Sequence, residues 1–336
     1  MVRTEIFKHE KEFGLELGGY LPGIEISYST LGKLNKDASN AIWVCHALTG
    51  NSNVLDWWAG LFNEAPFDSR DNFVICANMI GGCYGSTGPL SINPESQKPY
   101  YHDFPKLTNR DIVRAFDLLR LHLGIDQIHT VIGGSMGGQQ ALEWAIEDPG
   151  VFSNLVGLAT NAVHSPWGIA FNESQRMAIA NDPTWSMNDA NAGIEGLKTA
   201  RAIGMLSYRC YDIYQAKQQD EEPITRGYRA SSYQQYQGEK LAGRFNAFTY
   251  WRLSEAMDSH HLGRNRGGLM QALKQIDAQC HFIGIDTDLL FPTREQKFLA
   301  ENIGLATFDL ITSEYGHDGF LVETEKIKQV LKKRMT

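Results

Sequence analysis

The sequence lacks the signatures that would place it in a membrane, on a nucleic acid or outside the cell. Lys and Arg number 31 against 39 Asp and Glu, for a formal net charge of −8. The basic excess that marks general nucleic-acid binding is missing. Cysteine is scarce: Cys45, Cys76, Cys83, Cys210 and Cys280, an odd number, scattered and with no C-x-x-C. No disulfide framework and no zinc site is expected, which points to a reducing, cytoplasmic setting. Cys45 and Cys76 lie inside apolar runs, where a reduced core thiol is the default. No apolar run approaches the ~20 residues that span a bilayer, and Met1 to Lys8 has no leader-like pattern. Internal repeats and low-complexity tracts are also missing.

What is present is ordinary globular composition, 43% apolar and 21% charged. At 336 residues the chain can form a large core, or one domain with a sizeable insertion. Residues 24–30 (IEISYST) alternate at period two, as an antiparallel strand near a sheet edge would. Residues 41–45 (AIWVC) and 73–77 (FVICA) are continuous apolar runs, typical of strands covered on both faces. Residues 111–123 have helical spacing, and strand-like runs follow at 129–132 and 155–158. This alternation predicts an α/β fold with a mostly parallel, doubly wound sheet. From about 165 to 268 the pattern is helical without a convincing buried strand, broken by the polar stretch 217–223. The rhythm resumes at 281–285, with a helix from Thr293, a strand near 307–311 and a last helix from Phe320. The expected division is a core of residues 1–164 and 269–336, with residues 165–268 inserted as a helical lid over the site.

The most informative stretch is Gly133-Gly134-Ser135-Met136-Gly137, of the form G-x-S-x-G. With 32 glycines and 19 serines among 336 residues, the bare pattern arises by chance about 0.2 times per chain. Its context adds the weight. A β-branched apolar run precedes it and a helix former follows, as a nucleophile elbow requires. The helix start would aim backbone N–H groups at a developing oxyanion.

A serine hydroxyl needs a base, and the base needs an orienting acid, in the chain order Ser, Asp or Glu, His. His317 sits in a glycine-flanked loop after the last strand and is the candidate base. Asp286 and Asp288 both follow an apolar strand and compete for the acid. Asp288 lies further out, where a loop can bend back to His317, and is favoured. Of the two oxyanion donors, one should be the amide of Met136 and the other should come from His46–Gly50. The glycine-rich loop 78–89 has no lysine of the phosphate-binding kind and is expected to wall the site. Trp57-Trp58 is expected in core or lid packing.

Taken together, long segments resemble the homoserine O-acetyltransferases of the α/β-hydrolase superfamily. They are HALTG (46–50), WW (57–58), GGCYGSTGPLSINP (81–94), DFP (103–105), GGSMGG (133–138), LEW (142–144), GLKTARAIGMLSYR (196–209), QGEKLAGRFNAFTY (237–250), TDLLFP (287–292) and YGHDGFL (315–321). The resemblance implies Ser135 as nucleophile, Asp288 as acid and His317 as base, with Leu48 and Met136 supplying the oxyanion amides. It implies that Arg201 grips the homoserine carboxylate, that Tyr208 assists, and that Asp318 takes the substrate ammonium. Arginine suits that task because its fork pairs bidentately with a carboxylate. Acetyl-CoA would be the co-substrate, with no metal or other cofactor, and the chain would form a homodimer through the lid helices. Leu55-Asp56 and Asn246 stand where the family has Pro-Gly and Asp. Succinyl transfer, serine as acceptor and simple ester hydrolysis are the competing readings on this scaffold.

Overall fold

The apolar runs become the centre of one eight-stranded sheet. The computed structural model describes residues 2–335. In chain order the strands are β1 (Arg3–His9), β2 (Ile24–Leu31), β3 (Ala41–Cys45), β4 (Phe73–Ala77), β5 (Ile128–Gly134), β6 (Phe152–Leu158), β7 (Gln279–Ile285) and β8 (Ala306–Ile311). They lie side by side as β1-β2-β4-β3-β5-β6-β7-β8. Strand β2 runs against both neighbours, and all other pairings are parallel. Parallel neighbours need crossovers, and helices supply them on both faces.

Period two along β3 divides the core. Trp43 and Cys45 face one apolar cluster, which includes Phe116 and Trp144, while Ile42 and Val44 face another, which includes Trp58, Phe320 and Ile327. The first cluster is roofed by α1 (Asn109–His122) and α2 (Met136–Glu147). Thr108 caps α1 in a capping box with Asp111. A buried charge cluster fastens the same face. Arg110 reaches Glu143 and Glu16, each at 2.7 Å, and Arg266 reaches Glu143 at 2.6 Å.

Between β6 and β7 run α3 (Pro166–Ala180), α4 (Ile194–Tyr208), α5 (Tyr211–Gln218), α6 (Arg229–Ala242) and α7 (Ala247–Asp258). No strand lies among them, and the polar stretch 217–223 runs from the end of α5 into the connection to α6. The chain enters and leaves this region through a narrow neck. Val163 and His261 form an antiparallel bridge, His164 N donates to His260 O at 3.0 Å, and Leu262 N donates to Ala162 O at 3.1 Å.

One local expectation is corrected. The last helix does not begin at Phe320: residues 319–322 form a single turn, Glu323 breaks it at φ −84° and ψ 44°, and α9 spans Thr324–Arg334. Helix α8 is Thr293–Asn302. Strand β1 had no legible signal, because only Phe7 of its seven residues is buried. Among the described residues, no helix is long and apolar enough to cross a membrane.

Candidate active site

Ser135 stands at the sharp turn between β5 and α2, with φ 57° and ψ −126°. A residue with a side chain rarely occupies this region, so the surroundings must hold it there. Its carbonyl accepts from Thr160 Oγ1 at 3.0 Å and its amide donates to Leu158 O at 2.9 Å. The flanking glycines are steric necessities. A Cβ on Gly133 would stand 2.3 Å from the Gly137 backbone, and one on Gly137 would stand 2.1 Å from Cys45 O.

Asp288 follows β7 and His317 follows β8. His317 Nδ1 donates to Asp288 Oδ2 at 2.7 Å, and both residues are buried. Asp288 Oδ1 accepts the amides of Leu290 (2.8 Å) and Phe291 (2.9 Å), which fixes the carboxylate and leaves Oδ2 for the imidazole. The imidazole stacks on Phe291, with centroids 5.1 Å apart, and Phe320 meets it edge-on. Asp286 does not reach His317. It accepts the amide of Ser313 at 3.0 Å and fastens the loop that carries the histidine. Thr287 adds to that fastening through Ser313 O (2.6 Å) and Gly316 N (3.1 Å).

Ser135 and His317 line one cavity of about 70 Å³, together with Leu48, Arg201, Tyr208 and Asp318. Ser135 Oγ makes no hydrogen bond to another described residue, and it faces the same space as the imidazole. Met136 is the first residue of α2 and Leu48 sits in the loop after β3. Among the described residues neither amide has a hydrogen-bond partner. The loop is braced from behind by His46, whose Nδ1 bonds to Ala47 O at 2.9 Å and whose Nε2 accepts from Met79 N at 3.3 Å. Burial pulls this imidazole down to about 4, which keeps it neutral.

The charged groups of the cavity are arranged unequally. Arg201, on α4, lies over the ring of Tyr208 at 5.2 Å, and its buried Nε has no hydrogen-bond partner. Among the described residues it has no ion pair. Asp318 is different: Arg209 Nε stands 3.1 Å from its Oδ2, an ionic contact without hydrogen-bond alignment. Burial raises the Asp318 carboxyl above the usual range, and the charges of Arg209, Arg201 and His317 act against that rise. Burial likewise raises the Tyr208 hydroxyl. No group of three His, Cys, Asp or Glu among the described residues is placed to hold a metal.

Phe171, Asn172 and Gln175 of α3 and Met257 of α7 also line the cavity. No spacing signal in the sequence singled them out, since they sit on helical faces like any packing residue. Arg209 follows Tyr208 directly in the sequence, and nothing there marks it as the partner of Asp318. The glycine-rich loop does not wall the cavity. It packs on β2, with Ser86 Oγ accepting the amide of Ser27 at 3.0 Å, and it reaches the loop after β3 from behind through the Met79 amide on His46, and at the rim through Arg244, which bonds Tyr84 and Thr49 O. Trp58 is core, its indole donating to Phe320 O at 2.8 Å. The three departures do not line the cavity. Asn246 caps α7 through Thr249 N at 2.8 Å, and Leu55 and Asp56 sit in a short helical turn.

The order of the strands and the elbow define an α/β hydrolase, and the family model described as the alpha/beta hydrolase fold matches residues 40–324. The chain is 50% identical over 329 residues to the homoserine O-acetyltransferase of Cyclobacterium marinum, covering 98% of this chain and 94% of that one. Among solved structures it superposes on the homoserine O-acetyltransferase from Bacillus anthracis with a TM-score of 0.90 at 24% identity, covering 100% and 99% of the two chains. It superposes on esterase E22 with a TM-score of 0.85 at 24% identity, covering 98% and 100%. The chain belongs to the homoserine O-acetyltransferase family of α/β hydrolases.

Proposed function

We propose that this protein moves the acetyl group of acetyl-CoA to the side-chain hydroxyl of L-homoserine, a step of methionine biosynthesis, through an acetyl-Ser135 intermediate. In this reading His317 Nε2 takes the Ser135 proton as the serine oxygen attacks the thioester carbonyl. The amides of Leu48 and Met136 receive the oxyanion. The carbon–sulfur bond then breaks, and the CoA sulfur leaves with the proton from His317. Homoserine enters, its hydroxyl proton passes to His317, and its oxygen attacks the acetyl-serine. The intermediate collapses, and Ser135 recovers its proton. Asp288 holds the imidazole in the needed tautomer and stabilises its cation throughout.

One observation favours a transferase over an esterase: Arg201 is a half-buried cation in the cavity whose buried Nε has no hydrogen-bond partner, and it forms no ion pair among the described residues. A desolvated charge is costly unless a ligand pairs with it, and the homoserine carboxylate would do so. A simple ester offers nothing for that position. Asp318 would receive the ammonium, with Arg209 as the group it must share.

The same reading takes residues 165–268 as the lid that keeps water from the acyl-enzyme. It takes the enzyme as cytoplasmic, needing no cofactor beyond its co-substrate. It also takes the enzyme as a homodimer through these helices, whose Leu206, Tyr211 and Tyr236 are exposed. The test is kinetic. Acetyl-CoA alone should release one equivalent of CoA per site and leave acetyl on Ser135, with parallel-line kinetics against homoserine. Ternary-complex kinetics without an adduct would overturn the mechanism.

A further inference from the structure

Next to the catalytic cavity lies a second void that the reaction scheme leaves unused. It is a cleft of about 330 Å³ between α5, α6 and the loop that leads to His317. Arg209, Tyr214, Lys217, Tyr233 and Tyr315 line it, and no carboxylate does. That is an unusual composition on a chain of net charge −8. Lys217 is exposed and forms no ion pair among the described residues. Arg209 lies over the Tyr315 ring at 5.6 Å. Tyr214 and Tyr233 meet edge-on at 5.8 Å, and the Tyr214 hydroxyl donates to Gln234 at 2.9 Å, outside the cleft lining. The acidic stretch after α5 is turned elsewhere: Glu221 stands 3.7 Å from Arg229, and Asp220 accepts the Arg229 amide at 3.0 Å.

One ion pair separates the two voids. Arg209 belongs to the cleft, Asp318 to the cavity, and they stand 3.1 Å apart. The cavity, at about 70 Å³, has room for reacting groups and not for a nucleotide. The bulk of an acyl-CoA must therefore rest outside it. A phosphorylated adenosine needs cations for its phosphates and a ring for its base, and this cleft offers both within one residue pair of the catalytic cavity.

We propose that this cleft holds the phosphorylated nucleotide end of the acyl-CoA donor, with Lys217 meeting a phosphate and the tyrosine rings meeting the base. The proposal rests on the acetyl-transfer reading. Its test separates the two ends of the donor. KM is measured for acetyl-CoA and for S-acetyl-N-acetylcysteamine, a thioester without the nucleotide, using the unmodified protein, Lys217→Glu and Tyr233→Ala. Each variant should raise KM for acetyl-CoA about tenfold or more, the scale of one lost charge-assisted contact. KM for the short thioester should stay within about twofold, which also shows that the variants are folded. Adenosine 3′,5′-bisphosphate should compete with acetyl-CoA and not with the short thioester. An unchanged KM for acetyl-CoA, or an equal rise for both donors, would overturn the assignment. If the unmodified protein acetylated homoserine from neither donor, the acetyl-transfer reading itself would fall, and the cleft assignment with it.

Discussion

Asp288 and His317 are joined at 2.7 Å while Asp286, two residues earlier, ties down the amide of Ser313. The two carboxylates should therefore separate cleanly on substitution. Asp288→Asn should lower kcat by about 10³–10⁴, because the imidazole loses its tautomer and its counter-charge. Asp286→Asn should lower the melting temperature and leave kcat within about tenfold. Steady-state kinetics beside thermal unfolding of both variants checks the contrast.

Arg201 forms no ion pair among the described residues, and its buried Nε has no hydrogen-bond partner. Arg201→Ala should raise KM for homoserine about 30- to 100-fold, the loss of a bidentate charge-assisted pair. The rate of CoA release in the first half-reaction should barely change, since no amino acid is bound then. Rapid-quench measurement with acetyl-CoA alone distinguishes the two effects. An equal loss in both half-reactions would remove Arg201 from the acceptor site.

Glu295, in the first turn of α8, is a half-buried carboxyl with no place in the reaction scheme. Burial, with Asp288 nearby, pushes it up to about 7 from an ordinary 4.5, and a hydrogen bond from Asn161 Nδ2 at 3.0 Å offsets part of the rise. The folded state thus favours the protonated form. The stability this gives is complete below pH 4.5 and is lost as the pH rises through 7. The side chain is partly solvated, so the loss should be on the order of 2 kcal/mol. Glu295→Gln should unfold at a more nearly constant denaturant concentration between those limits and exceed the parent above pH 7. Denaturant titrations at several pH values decide it.

Glu143 shares its buried carboxylate between Arg110 and Arg266. Glu143→Ala should cost about 2–3 kcal/mol, because it removes the most buried carboxylate of the cluster and leaves Arg110 with Glu16 and Glu147, and Arg266 with Glu147 alone. Chemical denaturation reads this directly. A cost under 1 kcal/mol would mean that water reaches the cluster.

Much of the sheet was legible because its central strands are continuous apolar runs, and the elbow was legible because glycines there are forced by backbone contact with Gly137 and Cys45. Strand β1 was not, since an edge strand with one buried residue has no pattern to read. The distinction between Asp286 and Asp288 depended on how a loop folds back, which spacing only suggested. The choice of Phe171, Asn172 and Gln175 as cavity wall, and the capture of Asp318 by Arg209, are products of tertiary packing. The glycine-rich loop misled for the opposite reason: its glycines serve the loop's own tight fold, a Cβ on Gly88 standing 2.0 Å from Gly82 O, and only Gly85 approaches β2.

The neck at Val163 and His261 has an evolutionary consequence. A segment whose two ends are already paired contributes almost nothing to the register of the sheet beneath it. Its helices can be lengthened, reshaped or exchanged while Ser135, Asp288 and His317 keep their places. A change of acceptor, from water to an amino acid, then asks for new residues such as Arg201 above the neck and for little below it beyond Asp318. The scaffold can cross between hydrolysis and group transfer by exchanging a module while its catalytic foundation is inherited intact.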